Sequence, residues 1–200
     1  MTAALIVLGG YLAGSCPFGY WVVRLVKHED IRRVGSGNIG ATNVWRTYGR
    51  WLGVPVVLLD VLKGFVPALV GVLLVSHLVG ILAGSLAMLG HWRPLFLRFE
   101  KGGKMVATCG GVLFGVAWLV GVTGLAVWIV VFLVSRYASL ASILAALALP
   151  VLAFVFGEPN SVILFSAAAG AGVVILHRAN LERLRRGTES RFHFRRTASV

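Results

Sequence analysis

The chain has 200 residues, of which 58% are hydrophobic and only 13% are charged, and its mean hydropathy is +0.88. Soluble domains carry about 25% charged residues, so the composition excludes an ordinary soluble fold. It predicts an all-α, polytopic integral membrane protein with a single membrane-embedded domain over residues 1–200. The formal net charge is +12, but no aromatic-rich soluble domain accompanies it, so nucleic acid is not expected as a partner.

Seven apolar segments follow one another along the chain. A spanning helix needs about 20 mostly apolar residues, and two or three of the segments are shorter, so 78–90 and 105–120 are also candidates for re-entrant or tilted helices. The seven segments are 5–23, 52–75, 78–90, 105–120, 124–134, 140–156 and 161–176.

Basic residues divide the connections between these segments into two groups. Residues 24–51, 93–104, 136–139 and 178–200 contain six, four, one and seven Lys or Arg, which is 18 of the 19 in the chain. The alternate connections contain none. Because Lys and Arg favour the cytoplasmic side, we predict seven transmembrane helices with the N-terminus outside and the C-terminus cytoplasmic. Membrane lipid is the surrounding partner.

The first polar connection contains the sequence GSGNIGATN at 35–43. A dinucleotide fingerprint with this glycine spacing needs a strand before it and an acidic residue about 20 residues later, and a Walker A loop ends in Lys-Ser/Thr. The loop follows a membrane segment instead of a strand, and it lacks the Lys-Ser/Thr ending. The only acidic residue near the required offset, Asp60, lies inside an apolar segment, so both interpretations are rejected. An anion-binding nest of backbone N–H groups and a flexible loop remain as alternatives. The candidate phosphate-binding residues are Gly35, Ser36, Gly37, Asn38, Gly40, Thr42, Asn43 and Arg46.

Two short polar sequences directly precede apolar segments, EKGGK at 100–104 and SLAS at 139–142. Helix N-termini attract anions, so lysines and glycines beside one predict a phosphate site. A positive flank that only fixes orientation, and serines that only cap or pack, are the alternatives. The candidates are Lys101, Gly102, Gly103, Lys104 and Ser142.

The sequence HRANLE follows the last apolar segment and places His177, Asn180 and Glu182 within about a turn and a half of a continued helix. Glu182 and Arg186 have the i,i+4 spacing of a helical ion pair. We predict an interfacial helix that ends at Gly187. A histidine here is also typical of an interfacial residue without a catalytic role.

Asp60 and Lys63 lie inside the second apolar segment. A charge at the bilayer centre costs about 2.5–3.5 kcal/mol on insertion scales, so these two residues are predicted to neutralise one another as an i,i+3 pair. Both a functional and a purely structural pair agree with the sequence.

Taken in order, these sequences resemble the bacterial PlsY family of acyl-phosphate-dependent glycerol-3-phosphate acyltransferases. The matching sequences are GSGNIGATN with Arg46, HWRPLF with FEKGGKMVAT, SLAS, and HRANLERLRRGTESRF, together with DVLKG at 60–64. The family's second motif usually reads FKGGKGVAT. Here Glu100 intervenes and Met105 replaces the last glycine, so we expect altered kinetics rather than lost function.

The resemblance implies transfer of a fatty acyl group from acyl phosphate to the 1-hydroxyl of sn-glycerol 3-phosphate, giving lysophosphatidic acid and phosphate. This would be the first acylation step of bacterial phospholipid synthesis, at the cytoplasmic face of the inner membrane. It implies no cofactor, and a functional connection to an enzyme that produces acyl phosphate. No metal site is predicted, because the histidines lack ligand spacing with Cys or carboxylates.

Acyl phosphate is a mixed anhydride and so already activated, and neither cysteine is placed as a covalent nucleophile, so we expect direct attack without an acyl-enzyme. Positioning two substrates can lower the activation barrier by about 7–11 kcal/mol. A general base typically accelerates a reaction about 10²- to 10⁴-fold, or roughly 3–5 kcal/mol, so positioning could dominate. The proton would pass to His177 or to a substrate phosphate oxygen. The expected catalytic residues are Ser36, Arg46, Lys104, Ser142, His177, Asn180 and Glu182; Thr108 joins the glycine-rich sequences in phosphate binding.

Two functions of other classes compete with this one. A phosphate or lipid-phosphate transporter would have inverted repeats and a midplane site, whereas here the polar sequences gather on one face. A purely structural membrane subunit would leave the Gly, Asn and Ser sequences unexplained.

Overall fold

The computed structural model describes residues 1–192. Residues 193–200, the end of the predicted domain, lie outside the described residues. The described chain contains ten α-helices and two short 3₁₀ turns, Ile31–Arg33 and Leu95–Leu97, and no strand forms in it. The α-helices are α1 Thr2–Gly14, α2 Phe18–Lys27, α3 Ala41–Tyr48, α4 Arg50–Leu74, α5 His77–Trp92, α6 Val106–Val116, α7 Trp118–Ser135, α8 Ala138–Val155, α9 Asn160–Leu176 and α10 Arg178–Arg185.

All seven predicted apolar segments are largely helical, but two boundaries differ from the prediction. The chain does not break at 121–123: α6 ends at Val116, and α7 begins at Trp118 and runs through those residues, where Gly121 packs against Phe114 instead of forming a turn. The first segment is divided between α1 and α2. Pro17 lies in the break, where its missing N–H and fixed φ interrupt the helical ladder.

Four helical units are long enough and apolar enough to cross a membrane: Thr2–Lys27, α4, α7 and α8. The pair α9 and α10, which meet at a bend of 58°, would be a fifth if the two helices form one span. The all-helical membrane fold is therefore confirmed, whereas the count of seven spans stays a prediction.

Small residues let these helices approach closely. A Cβ added at Gly111 of α6 would lie 2.0 Å from the carbonyl oxygen of Val61 in α4, and one at Gly64 of α4 would lie 2.2 Å from the carbonyl oxygen of Thr108. Packing through glycine is expected in lipid, where apolar surface gains little by leaving its surroundings. The main core packs around α6, with Val112 and Leu113 fully buried.

The end of α10 turns the chain back towards the helices. Gly187 has φ +69°, the left-handed conformation that glycine adopts without steric cost. Thr188 donates its backbone N–H to Arg183 (2.8 Å) and Gly187 to Leu184 (3.2 Å), the two hydrogen bonds of a Schellman motif. The predicted helix ending at Gly187 is confirmed, and the reversal places residues 189–192 beside α3 and α8.

Candidate active site

A cavity of about 1050 Å³ lies among α3, α4 and α6–α9, beneath α10 and the C-terminal segment. We call its two parts the polar end and the apolar end. Lining the polar end are Ser36, Asn38, Thr42, Arg46, Lys104, Ser139, Ser142, His177, Asn180, Arg183 and Glu189. Lining the apolar end are Leu113, Phe114, Gly121, Gly124, Leu125, Ala146 and Leu149.

A hydrogen-bonded network organises the polar end. The Lys104 ammonium donates to Asn180 Oδ1, and Asn180 Nδ2 donates to Glu189 Oε1 at 2.7 Å. Ser139 Oγ donates to the same oxygen at 2.7 Å, while Arg183 Nε donates to Glu189 Oε2 at 2.7 Å. Glu189 therefore joins α8 to α10 and aligns the Asn180 amide that meets Lys104.

The charges of this network are set by burial and by one another. Burial raises the pKa of Glu189, but hydrogen bonds from Asn180, Ser139 and Arg183 outweigh it and hold the pKa below its usual range. Burial lowers the pKa of Lys104 to about 8, with Glu189 opposing the shift and neighbouring cations adding to it. Lys104 is consequently charged at neutral pH, in a site that favours an additional anion.

His177 lies between α9 and α10, beyond the apolar segment 161–176. Its Nδ1 is 2.8 Å from the carbonyl oxygen of Val173, and because a carbonyl can only accept, Nδ1 carries the hydrogen. Burial, followed by the charge of Lys104, lowers the pKa of His177 to about 4. The ring is therefore neutral at pH 7, with Nε2 as its hydrogen-bond acceptor.

Two buried donors at the polar end have no hydrogen-bond partner within residues 1–192, Arg46 Nε and Asn38 Nδ2. The other side of the Arg46 guanidinium is fixed, since Nη2 donates to the carbonyl oxygen of Ser190 at 2.9 Å. Buried donors are almost always paired. An arginine held at one side with a free donor at the cavity wall is suited to bind an anion.

The loop 35–43 is closed by its own asparagines. Asn43 Nδ2 donates to the carbonyl oxygens of Val34 (3.0 Å) and Asn38 (2.9 Å), and Asn43 Oδ1 accepts from the backbone N–H of Ser36 (2.9 Å). Asn38 Oδ1 accepts from Gly40 N–H at 2.7 Å. The backbone N–H groups of Ser36 and Gly40 are therefore engaged within the loop and cannot contribute to an open nest. Asn43 shapes the loop through both polar atoms of its side chain and also lines the cavity. Ser36 and Thr42 line the cavity.

Two glycines of this loop have left-handed backbones, Gly35 at φ +60° and Gly37 at φ +68°. A Cβ at Gly35 would also lie 2.4 Å from Asn43 Oδ1. The glycines are needed for the closed shape of the loop, which presents Ser36 to the cavity.

Gly102 and Gly103 also serve the backbone. Their N–H groups donate to the carbonyl oxygens of Trp92 and His91, each at 2.9 Å. A Cβ at Gly103 would lie 1.9 Å from His91 Nε2. These glycines are buried against the end of α5 and lie outside the cavity lining. Their contacts with α5 fix the backbone directly before Lys104.

Three other predicted site residues lie off the cavity. Lys101 is exposed. Thr108 is buried in the α4–α6 contact, where its carbonyl faces Gly64. Glu182 forms the predicted i,i+4 ion pair with Arg186 (2.6 Å) at the exposed surface, which confirms the pair. The carboxylate that bonds to Asn180 at the polar end is that of Glu189.

Ser142 lines the cavity with its hydroxyl already engaged. Its Oγ donates to the carbonyl oxygen of Ala138 (2.7 Å) and accepts from Trp128 Nε1 (3.0 Å). It is Ser139, one turn earlier, that bonds to Glu189. Sequence reasoning missed Glu189; its one available signal was an acidic residue shortly after a helix-ending glycine, in a chain with only seven acidic residues.

The two departures from the family motif have structural explanations. Met105 has φ +66° at the start of α6, so glycine suits this position because of the backbone conformation. The side chain of Met105 is buried in the main core. Glu100 forms an ion pair with Arg32 and connects the second glycine-rich segment to the region before the first.

Asp60 and Lys63 are the predicted buried ion pair, with 2.7 Å between Asp60 Oδ1 and Lys63 Nζ. Asp60 and His91 also line the cavity. The expected neutralisation is confirmed.

Known proteins resemble this chain over nearly its full length. The glycerol-3-phosphate acyltransferase family model matches residues 4–187. Relatives named glycerol-3-phosphate acyltransferase include those of Desulforudis audaxviator, 46% identical over 97% of this chain and 98% of the relative, and Aquifex aeolicus, 44% identical over 96% and 100%.

Solved structures agree with this relationship. A crystal structure of PlsY, an integral membrane glycerol 3-phosphate acyltransferase in its glycerol 3-phosphate form, has a TM-score of 0.92 and 44% identity, with 96% of each chain covered. The lysophosphatidic acid form has a TM-score of 0.89 and 42% identity, again with 96% of each chain covered. The chain therefore belongs to the PlsY family of integral membrane glycerol-3-phosphate acyltransferases.

Proposed function

We propose that this enzyme transfers a fatty acyl group from acyl phosphate to the 1-hydroxyl of sn-glycerol 3-phosphate, releasing lysophosphatidic acid and phosphate. The observation that carries the proposal is the junction of a cationic polar end and an apolar end in one cavity. Acyl phosphate has both chemistries, and its carbonyl carbon lies at the boundary between them. Glycerol 3-phosphate has only the polar one.

Phosphate binding is assigned to the donors that the fold leaves available. Arg46 Nε and Asn38 Nδ2 are unpaired in the described part of the chain, and Lys104 is charged at neutral pH. Ser36 and Thr42 add hydroxyls at the same wall. Cations enclosed by low-dielectric walls stabilise phosphate charge more strongly than cations in water do.

The reaction we propose is direct attack. The 1-hydroxyl oxygen bonds to the acyl carbon, the bond between that carbon and the bridging phosphate oxygen breaks, and phosphate leaves. His177 Nε2 accepts a hydrogen bond from the attacking hydroxyl, and Asn180 orients it. Because the pKa of His177 is about 4, a phosphate oxygen is the better final proton acceptor, and the low pKa favours positioning over general base catalysis by His177.

Purified protein in detergent tests the function. With palmitoyl phosphate and glycerol 3-phosphate, we expect equimolar phosphate and lysophosphatidic acid, and a loss of kcat/KM of about 10²- to 10³-fold in Lys104→Ala and Arg46→Ala, as for removal of other preorganised charge-stabilising donors. Arg185→Ala, an exposed cation on α10, is the matched control. Folded wild-type protein that formed neither product would contradict the proposed function. A radiolabelled acyl group bound covalently to the chain would contradict direct attack.

We further propose seven spans with the site on the cytoplasmic face of a bacterial inner membrane, near an enzyme that supplies acyl phosphate. The support is the partition of basic residues between alternate connections. In a background with Cys16 and Cys109 replaced by Ala, an impermeant thiol reagent on intact cells should label Asn160→Cys but not Thr188→Cys. The reverse pattern would invert the orientation.

A further inference from the structure

Three titratable side chains within the helices have no part in the proposed reaction. Asp60 is 2% exposed, Lys63 is 5% exposed and His91 is 3% exposed. Ionisable groups in membrane segments are costly and usually functional. Neutralisation would explain an Asp–Lys pair, but it does not explain the histidine beside it.

The contacts of Lys63 and Asp60 reach from the first span to α5. Lys63 Nζ donates to the carbonyl oxygen of Cys16 at 3.0 Å, in the break between α1 and α2. Asp60 Oδ1, 2.7 Å from Lys63 Nζ, is also 3.7 Å from His91 Nδ1. His91 Nδ1 has no hydrogen bond within residues 1–192, and its distance of 3.7 Å from Asp60 Oδ1 is too long for one, so the Asp60 carboxylate packs against the ring without bonding to it.

The other side of His91 supports the segment that carries Lys104. The His91 carbonyl oxygen accepts from Gly103 N–H at 2.9 Å. The ring lies so close to Gly103 that a Cβ there would be 1.9 Å from Nε2. Lys104 follows directly and reaches Asn180, so a change in the ring's position is transmitted to the ammonium through one residue.

We propose that Asp60, Lys63 and His91 are positioning residues for Lys104. The ion pair fixes the His91 ring, the ring fixes residues 102–104, and the Lys104 ammonium is thereby held against Asn180 at the polar end. This inference rests on the proposed phosphate-binding function of Lys104. It differs from simple neutralisation, because a neutral pair without the carboxylate would still misplace Lys104.

Two variants separate these alternatives. Asp60→Asn alone leaves Lys63 uncompensated and unstable, so the main variant is the neutral double change Asp60→Asn/Lys63→Met. The second is His91→Phe, which keeps a ring against Gly103 but removes both nitrogens. Ser166→Ala, the loss of a fully buried hydroxyl in α9, is the control for removing a polar group from the helices.

The readouts are kcat/KM for glycerol 3-phosphate across pH, calorimetric binding of glycerol 3-phosphate without acyl donor, and thermal unfolding. The pH profile reports the environment of Lys104, whose burial gives it a pKa of about 8. The charged or titratable groups that face Lys104 are Glu189, Arg183, Lys101, Arg46 and His177.

We expect both variants to fold and to lose about 10- to 100-fold in kcat/KM, since small misplacements at a reacting centre have effects of this order. Their alkaline limb should move above pH 8, because a displaced ammonium is better hydrated. Ser166→Ala should keep the wild-type limb. A wild-type kcat/KM and limb in both variants would overturn the proposal. A wild-type protein without turnover would contradict the proposed function. The binding measurement tests this inference separately, since an unchanged affinity for glycerol 3-phosphate in both variants would overturn it.

Discussion

The two ends of the cavity are built in different ways. The polar end collects single side chains from separate connections: Lys104 before α6, Ser139 at the start of α8, Asn180 in α10 and Glu189 after it. The apolar end is lined from helix interiors: Leu149 is eleven residues beyond Ala138 in α8, which places it about 16 Å further along the helix axis. One end depends on directional contacts, the other on shape.

This difference predicts how each end responds to substitution. A charge or hydrogen bond in a low-dielectric site is carried by one or two atoms, so its loss changes the rate steeply. Apolar contact is spread over area, at roughly 25 cal/mol per Å², so changes there are graded. The polar end should control rate, and the apolar end should control selectivity among acyl chains.

Among substitutions that leave the proposed phosphate-binding residues in place, the largest effect should come from Glu189→Gln. A glutamine side chain has one N–H₂ group, so one of the donors that now bond to the Glu189 carboxylate, such as Arg183 Nε at 2.7 Å, would face another donor. The lost hydrogen bond should loosen Asn180, and through Asn180 the Lys104 ammonium. We expect kcat/KM to fall about 100-fold, with a lower unfolding temperature in detergent. Glu158→Gln, an acidic residue off the cavity lining, is the control, and wild-type rates in Glu189→Gln would refute the role of the network.

The pH dependence of the rate should follow from Lys104. Its pKa is lowered to about 8, so the charge is present below pH 8 and is lost as the pH rises through that value. We therefore expect kcat/KM to fall by up to about tenfold per pH unit above 8. Lys104→Arg should lack this limb, because a guanidinium stays protonated there. A limb that survives in Lys104→Arg would have to come from another group.

A smaller effect, on selectivity, should come from the apolar end. A Cβ at Gly124 would lie 2.8 Å from Leu149 Cδ2, so Gly124→Val should shorten the space for the chain. Each excluded methylene costs about 0.8 kcal/mol. Exclusion of two should lower the kcat/KM ratio of palmitoyl phosphate to octanoyl phosphate roughly tenfold, while Leu149→Ala should not lower it. Equal losses with both donors would mean that the chain does not enter here.

The smallest effect should come from Glu100→Gln, outside both ends. The ion pair of Glu100 with Arg32 has side chains that are 63% and 31% exposed, and exposed pairs contribute about 0–1 kcal/mol. We expect kcat to change by less than about twofold, without a change in acyl-chain selectivity. A loss of tenfold or more would show that this connection between the two glycine-rich segments matters for turnover.

The helices were predictable because hydropathy acts locally, and so was the ion pair of Asp60 with Lys63, one turn apart. The break at Pro17 was missed because the apolar run continues through it. Among the residues that line the polar end, Arg46, Lys104, His177 and Asn180 were predicted as site residues from residue type and family resemblance.

What the sequence could not provide was the pairing of side chains distant along the chain. Glu189 acquires its role only because the chain reverses after α10, and Asn43 turns inward to satisfy carbonyls that no sequence pattern identifies. The sequence also could not show why glycine suits position 105, because the left-handed backbone there, with φ +66° at Met105, is seen only in the structure.

The Schellman turn after α10 has a further consequence for how this segment tolerates change in length. Asn180 lies on the helix and Glu189 lies just beyond the stop at Gly187, so the number of residues between them sets the rotational phase at which the two meet. One inserted residue would rotate everything beyond it by about 100°. The exposed arginines of α10 can vary in identity, but the segment works as a spacer of fixed length, and a one-residue insertion should damage the site more than several substitutions together.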